Sequence, residues 1–320
     1  DDARQAGVEL SFSTTGNQWL LKLTGLQDTL PVVLEHALKY LTQVDADSPS
    51  GEPPVPSMLI RQLLKAWPER CLPVVAQSDD AKQLWTTSRW DGLALGLDAH
   101  TQSAMGLALS RIPGKPSNEL PTLPAFHAQL RWDQFDTASS EHALLLFCPT
   151  ARPDIPSEAA WRFLAHLCHT PFYQRLRGEL QLGYAVFSAF RQVHGQGGWQ
   201  FGVQSPTATP AQLLDHVQQF IEGIPALVEN IDDAFLVEQR QILAVHLDAG
   251  ILSGKEAAEL LWQAKLAGHS SDYLIQLSNA ISQLDREALL AAAHCLIRVE
   301  GGWHVLANSP SPGAPWQAAN

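Results

Sequence analysis

The sequence predicts an α+β fold of two related domains, each an antiparallel-rich sheet packed by helices, and three observations predict it. Gly7–Thr24 and Tyr184–Gln204 alternate apolar and polar side chains around a turn, the signature of half-buried hairpins. Each is followed by a run whose apolar residues recur at helical spacing. Proline-rich segments at 45–56 and 111–124 then interrupt the chain with residues that neither a helix interior nor a central strand tolerates.

Taken in order, the first hairpin turns at Thr14-Thr15-Gly16-Asn17, and Pro31 starts an amphipathic helix to about Val44, in the first-turn position that suits proline. Met58–Trp67 and Asp80–Ser88 read as helices, Leu93–Leu97 as a strand, and a further helix begins near Thr101. Past the second proline-rich segment, Ala128–Phe135 and Ala143–Cys148 read as paired strands. Ser157 opens a helix to about His169, with Glu158 in the first turn where a carboxylate favours the helix dipole, and Phe172–Leu180 continues helically. Tyr184–Arg191 and Trp199–Gln204 form the second hairpin, with Gly195, Gly197 and Gly198 as its turn. Helices follow at Pro210–Gly223, Asp233–Ala249, Lys255–Ala267, Asp272–Gln283 and Asp285–Ala293, then a last strand at Ile297–Leu306.

The two hairpins form a repeat. The same interval separates Trp19 from His36 and Trp199 from His216, and WLLKLTG…LPVVLEHALKYL matches WQFGVQS…TPAQLLDHVQQFI in plan. The second copy is preceded by strands and a helix, whereas the first begins almost at the chain start. The expected division is therefore a first domain over 1–112 that lacks its opening part, a linker at 113–124, a complete second domain over 125–308 and a tail at 309–320.

Composition narrows the function. The 320 residues carry 21 basic and 33 acidic side chains, a net charge of −12. That balance disfavours nucleic acid as a partner. It fits either an ordinary charged surface or an acidic cavity that attracts basic substrates. No apolar run is long enough to span a bilayer. Cys71, Cys148, Cys168 and Cys295 have neither CxxC nor zinc-finger spacing, and read as free buried thiols of a reducing compartment. The chain is expected in the cytoplasm, with the periplasm as the alternative.

Three segments could carry chemistry. His166 and His169 share a helix face and could begin a metal site, but no further ligand has telling spacing, and packed or capping histidines are the simpler reading. Glu35-His36 and Asp215-His216 lack a histidine three residues before the acid, so no HxxEH occurs anywhere. In PFYQRLRGELQLGYAVFS, Arg177 lies late in a helix and Tyr184 opens the following strand. A guanidinium and a phenol converging there would make a donor pair for a carbonyl oxygen or developing oxyanion. On chemistry alone, a surface arginine and a half-buried strand tyrosine are the favoured description.

That same segment carries a resemblance. Leu176-Arg177, then Gln181-Leu182-Gly183-Tyr184, then Val186-Phe187 is similar to the L-R-x-x-x-Q-L-G-Y-x-V-F stretch of the pitrilysin/insulysin (M16) zinc metallopeptidases. GGWQFGVQSPTATPAQLLDHVQQFI continues the likeness, and Gly7–Val44 resembles an earlier segment of the same half. Gly178 and Leu180 depart from the polar residues common at their positions, which leaves substrate selection open. The resemblance implies a protein of four related domains closing like a clamshell, of which this chain is the C-terminal half. The catalytic Zn2+ would be bound by an N-terminal half through HxxEH and a distant Glu, with no metal on this chain. Arg177 and Tyr184 match the family's arginine and tyrosine that face the zinc, where they would hold the substrate backbone and stabilise the tetrahedral intermediate. The implied partners are that N-terminal catalytic half and a small peptide. The short, Gln-, Leu- and Trp-rich sequence is most similar to the bacterial branch that trims the precursor peptide of pyrroloquinoline quinone (PQQ). A non-catalytic relative that only binds peptide or an active subunit is the alternative the same resemblance allows.

Overall fold

A computed structural model describes residues 2–15, 18–43, 58–72, 85–117, 119, 126, 128–248 and 250–318. Along the chain these form α1 (Asp2–Gln5), β1 (Val8–Thr15), β2 (Gln18–Gly25), α2 (Leu30–Gln43), α3 (Leu59–Arg70), β3 (Arg89–Trp90), α4 (Ala99–Leu109), β4 (Lys115–Pro116), β5 (Leu130–Gln134) and β6 (His142–Pro149). Then follow α5 (Ile155–Tyr173), a π-helical turn (Gln174–Glu179), β7 (Ala185–Val193), β8 (Gln196–Ser205), α6 (Pro210–Asn230), α7 (Asp233–His246), α8 (Gly254–Leu266), α9 (Tyr273–Ser282), α10 (Arg286–Ile297), β9 (Trp303–Ala307) and β10 (Gln317–Ala318). The 45–56 linker, the turn residues Gly16 and Asn17, residues 80–84 of the expected third helix and most of 118–125 lie outside the described residues.

The chain divides into two compact units. One holds residues 1–54, 72–120 and 254–262; the other holds 55–71, 121–253 and 263–320. Helix α3 thus belongs with the second unit, and β10 of the tail pairs with β5 of that unit's sheet.

In the first unit β1 and β2 pair antiparallel from Val8–Gly25 to Thr15–Gln18. Only Val8 of the hairpin is buried, packing with Leu30 and Val33 of α2. Leu34 and Leu38 continue the apolar stripe of α2 onto Ala108 of α4. Asp98 caps α4 by accepting from the Thr101 amide at 2.7 Å. The strand expected at Leu93–Leu97 does not form: among the described residues no strand pairs with them, Leu93 and Leu95 are exposed, and Gly96 at φ +69° leaves the β region. The strand bond forms just before, where Arg89 and Trp90 pair with Lys115 and Pro116.

The second unit is built on a six-stranded sheet in the order β10-β5-β9-β6-β8-β7. The strands expected to pair with each other, β5 and β6, are separated by β9, which runs parallel to β5 and antiparallel to β6. A short connection favours pairing, but Trp303–Ala307 competes better for the position. Its residues are all buried there, and β5 and β6 close on it from both sides. The last strand begins at Trp303, since α10 continues through Ile297.

Strand β6 is apolar without alternation and buried along its length after His142, as a strand covered on both faces must be. Ala143, Leu145 and Phe147 pack against Leu59, Ile60, Leu63 and Trp67 of α3. The intervening residues face the other way, where Phe201 of β8 meets Phe172 of α5, which in turn meets Phe220 of α6. Of the three glycines expected in the second hairpin's turn, only Gly195 is there. The turn is His194-Gly195, both with positive φ, which suits a two-residue hairpin connection. Gly197 and Gly198 lie within β8, and a Cβ on Gly198 would meet the Cys148 carbonyl oxygen at 2.6 Å.

Candidate active site

Helix α5 opens two residues earlier than Ser157, at Ile155, because Asp154 is the cap and accepts from the Ser157 amide at 2.7 Å. Glu158 sits in the first turn but is buried, paired with Arg162 at 2.6 Å and accepting from the Tyr273 phenol at 2.5 Å. Its role is to anchor α5 to α9, beyond any interaction with the helix dipole. Pro171 has no N–H to offer the preceding turn. Shortly after it the helix widens, so that the Leu180 amide donates to the Arg175 carbonyl at 3.0 Å, five residues back. Such π-turns recur at functional sites.

This widened turn carries Arg177 and delivers the chain into β7. Gln181 takes φ +50°, and Gly183 passes so close to β8 that a Cβ would lie 1.9 Å from the Gln204 carbonyl oxygen. Glycine is the residue that permits this approach. Tyr184 then stands at the mouth of β7, 49% exposed.

Arg177 and Tyr184 are brought together through the main chain. The Arg177 Nη1 donates to the Tyr184 carbonyl and, at 3.4 Å, to that of Gly183. The guanidinium carbon lies 5.7 Å from the centre of the Tyr173 ring. The Arg177 Nε and Nη2 donate to none of the described residues. The phenol is turned elsewhere: it donates to Glu141 Oε2 at 2.5 Å and accepts from Gln204 Nε2 at 2.7 Å. Gln204 Nε2 also donates to Glu141 Oε2, and Gln204 Oε1 accepts from the Ile60 amide at 2.8 Å. The register explains this convergence, since Gln204 of β8 lies opposite Ala143 of β6 and Ala185 of β7.

The electrostatics follow. Hydrogen bonds from Tyr184 and then Gln204 hold the Glu141 carboxyl below its ordinary range. The Glu141 carboxylate, above all as acceptor of the phenol's hydrogen bond, pushes Tyr184 up, so the phenol stays protonated. Glu141 and Gln204 are not identified by sequence reasoning. The local signal is weak: Gln204 is one of several glutamines, with Gln196 and Gln200, on a strand that is buried almost throughout.

His166 and His169 lie on one wall of a cavity of about 570 Å³ shared with Thr170, Gln174, Phe235 and Gln239. His166 pairs with Gln239 at 2.9 Å and His169 with the Ser188 carbonyl at 3.0 Å. Among the described residues no three or more His, Cys, Asp or Glu side chains are grouped to hold a metal. No helix among them is long and apolar enough to cross a membrane.

Comparison with known proteins gives the family and the fold. Residues 1–94 match the family profile described as PQQ synthase PqqF, C-terminal lobe domain 3, and residues 163–262 match that of PQQ synthase PqqF-like, C-terminal lobe domain 4. The chain is 47% identical over 327 aligned positions to coenzyme PQQ synthesis protein F of Pseudomonas protegens, an alignment covering 100% of this chain and 39% of that protein. It therefore spans about two fifths of the length of such curated relatives. Among solved structures, pitrilysin superposes with a TM-score of 0.65 at 16% identity, over 99% of this chain and 38% of pitrilysin. A peptidase M16 inactive domain from Pseudomonas fluorescens superposes with a TM-score of 0.56 at 13% identity, over 96% of this chain and 82% of that domain. At these identities the two superpositions establish the fold.

Proposed function

Because the chain belongs to the M16 peptidase family, in its PQQ synthesis protein F branch, we propose that it is the C-terminal, substrate-clamping half of a zinc-dependent endopeptidase acting on small peptides. In this reading residues 1–112 and 125–308 are the family's third and fourth domains, and the peptide trimmed is the PQQ precursor. M16 peptidases are generally zinc-dependent, and the described residues offer no set of ligands that fits the ion. In this reading the zinc is held by an N-terminal half, as the family resemblance implies.

What this chain contributes is binding and orientation. The observation that carries the reading is the half-exposed Tyr184, its phenol fixed to a buried sheet by Gln204 and its main-chain carbonyl held by the Arg177 guanidinium. Arg177 Nε and Nη2 can donate to a peptide carbonyl, and the phenol can donate to an oxygen on which negative charge develops. Donors held in advance by their surroundings stabilise such charge with little reorganisation.

In the full-length peptidase, Arg177→Ala and Tyr184→Phe are each expected to lower kcat/KM by about 10² or more, the scale of losing one such donor. Circular dichroism and unfolding midpoints near those of the parent would separate this loss from misfolding. Unimpaired turnover in both variants would contradict the clamp. A chain of this fold that only binds peptide or an active subunit is the second reading, which the similarity to an M16 inactive domain keeps open. It predicts that any turnover in an assembly comes from an active partner and is unchanged by Arg177→Ala or Tyr184→Phe.

A further inference from the structure

The hydrogen bonds around Tyr184 leave little freedom about who donates to whom. Gln204 Oε1 accepts from the Ile60 amide at 2.8 Å, and a main-chain N–H can only donate, so the side-chain amide has one orientation. Its Nε2 therefore faces the phenol oxygen and Glu141. A phenol has one hydrogen, and with Gln204 donating to its oxygen that hydrogen goes to the carboxylate of Glu141 at 2.5 Å. Glu141 is itself held: its carbonyl accepts from Asn308 Nδ2 at 2.8 Å, and Asn308 Oδ1 accepts from the Ala143 amide at 2.9 Å. Gln204 is 1% exposed and the phenol 49%, so a buried amide carries an exposed head.

A phenol whose hydrogen is taken cannot also donate to a peptide. We propose that Glu141 is a positioning residue for Tyr184: it holds the phenol hydrogen at rest and yields it when a peptide carbonyl oxygen arrives, while Gln204 keeps the phenol oxygen in place. Only rotation about the bond from ring to oxygen is required, and no proton leaves the phenol. The inference rests on Tyr184 facing substrate, the reading proposed above. The bond to a carboxylate is charge-assisted and about twice as strong as one to a neutral acceptor. Glu141 thus competes with substrate for the hydrogen, and weakening it strengthens substrate binding. The charged groups placed against Tyr184 are Glu141 at the phenol and Arg177 at the main-chain carbonyl.

The test is Glu141→Gln, which keeps the shape and removes the charge. Tyrosinate absorbance of the 320-residue chain is titrated with and without the substitution, and the Tyr184 transition is identified by its loss in Tyr184→Phe; the other tyrosines are Tyr40, Tyr173 and Tyr273. The Tyr184 transition moves to lower pH in Glu141→Gln. In the full-length peptidase the same substitution lowers KM severalfold with kcat nearly unchanged, and does nothing when Tyr184 is already Phe. An unmoved transition, an unchanged or raised KM, or an equal effect in both backgrounds would overturn the proposal. If Tyr184→Phe leaves turnover intact, the clamp fails, and the absorbance titration still decides whether Glu141 holds the phenol.

Discussion

Glu141 is where a single residue ties the site to stability. Its carboxyl is held below the ordinary range in the folded chain by the phenol of Tyr184 and the amide of Gln204. A depressed folded pKa contributes stability that is fully present above the unfolded value, near 4.3, and is lost as pH falls through the folded one. The urea midpoint of the parent should therefore exceed that of Glu141→Gln most at neutral pH, and the gap should close as pH drops below about 4. A gap that widens in acid would contradict the assignment. The thiols give a second residue-scale expectation. Burial raises Cys148 well above its ordinary value and lifts Cys168 to about 12. With no thiolate to react, neither should be modified by a disulfide reagent at pH 8 in the native chain, and both should react once urea unfolds it.

At the scale of elements, the caps and the close approaches separate stability from function. Thr209 caps α6 in a capping box, its hydroxyl accepting from the Gln212 amide at 3.4 Å while its own amide donates to Gln212 Oε1 at 2.9 Å. Thr209→Ala should cost about 1 kcal/mol of stability and leave turnover per folded molecule unchanged. Gly183→Ala should do both kinds of damage, since its Cβ would meet the Gln204 carbonyl oxygen at 1.9 Å. Relief of that overlap should cost roughly 1–3 kcal/mol and displace Tyr184, lowering kcat along with the unfolding midpoint. Most of the helices and both hairpins were readable from sequence because caps, prolines and alternation are local signals. The order of the sheet was not: β9 enters between β5 and β6 from far along the chain, and no pattern within Leu130–Pro149 announces it. The exposed run Leu93–Leu97 failed for the converse reason, having strand-like residues and, among the described residues, no neighbour to pair with.

For the whole molecule, the same contrast explains how much of the site was legible. Arg177 and Tyr184 lie in one contiguous segment whose turn geometry links them, so a motif could carry both. Glu141, Gln204 and the Ile60 amide come from three separate segments that meet only when β6, β8 and α3 assemble, and no spacing in the sequence relates them. In the proposed function this chain presents substrate-holding donors to a reaction whose metal sits elsewhere. The most direct measurement is cleavage of a quenched fluorogenic peptide by the 320-residue chain alone, and by the chain mixed with the N-terminal part of a PQQ synthesis protein F that it does not span. The proposed function predicts no cleavage by the chain alone and chelator-sensitive cleavage on mixing. Chelator-sensitive cleavage by the chain alone would contradict it and turn attention to His166 and His169.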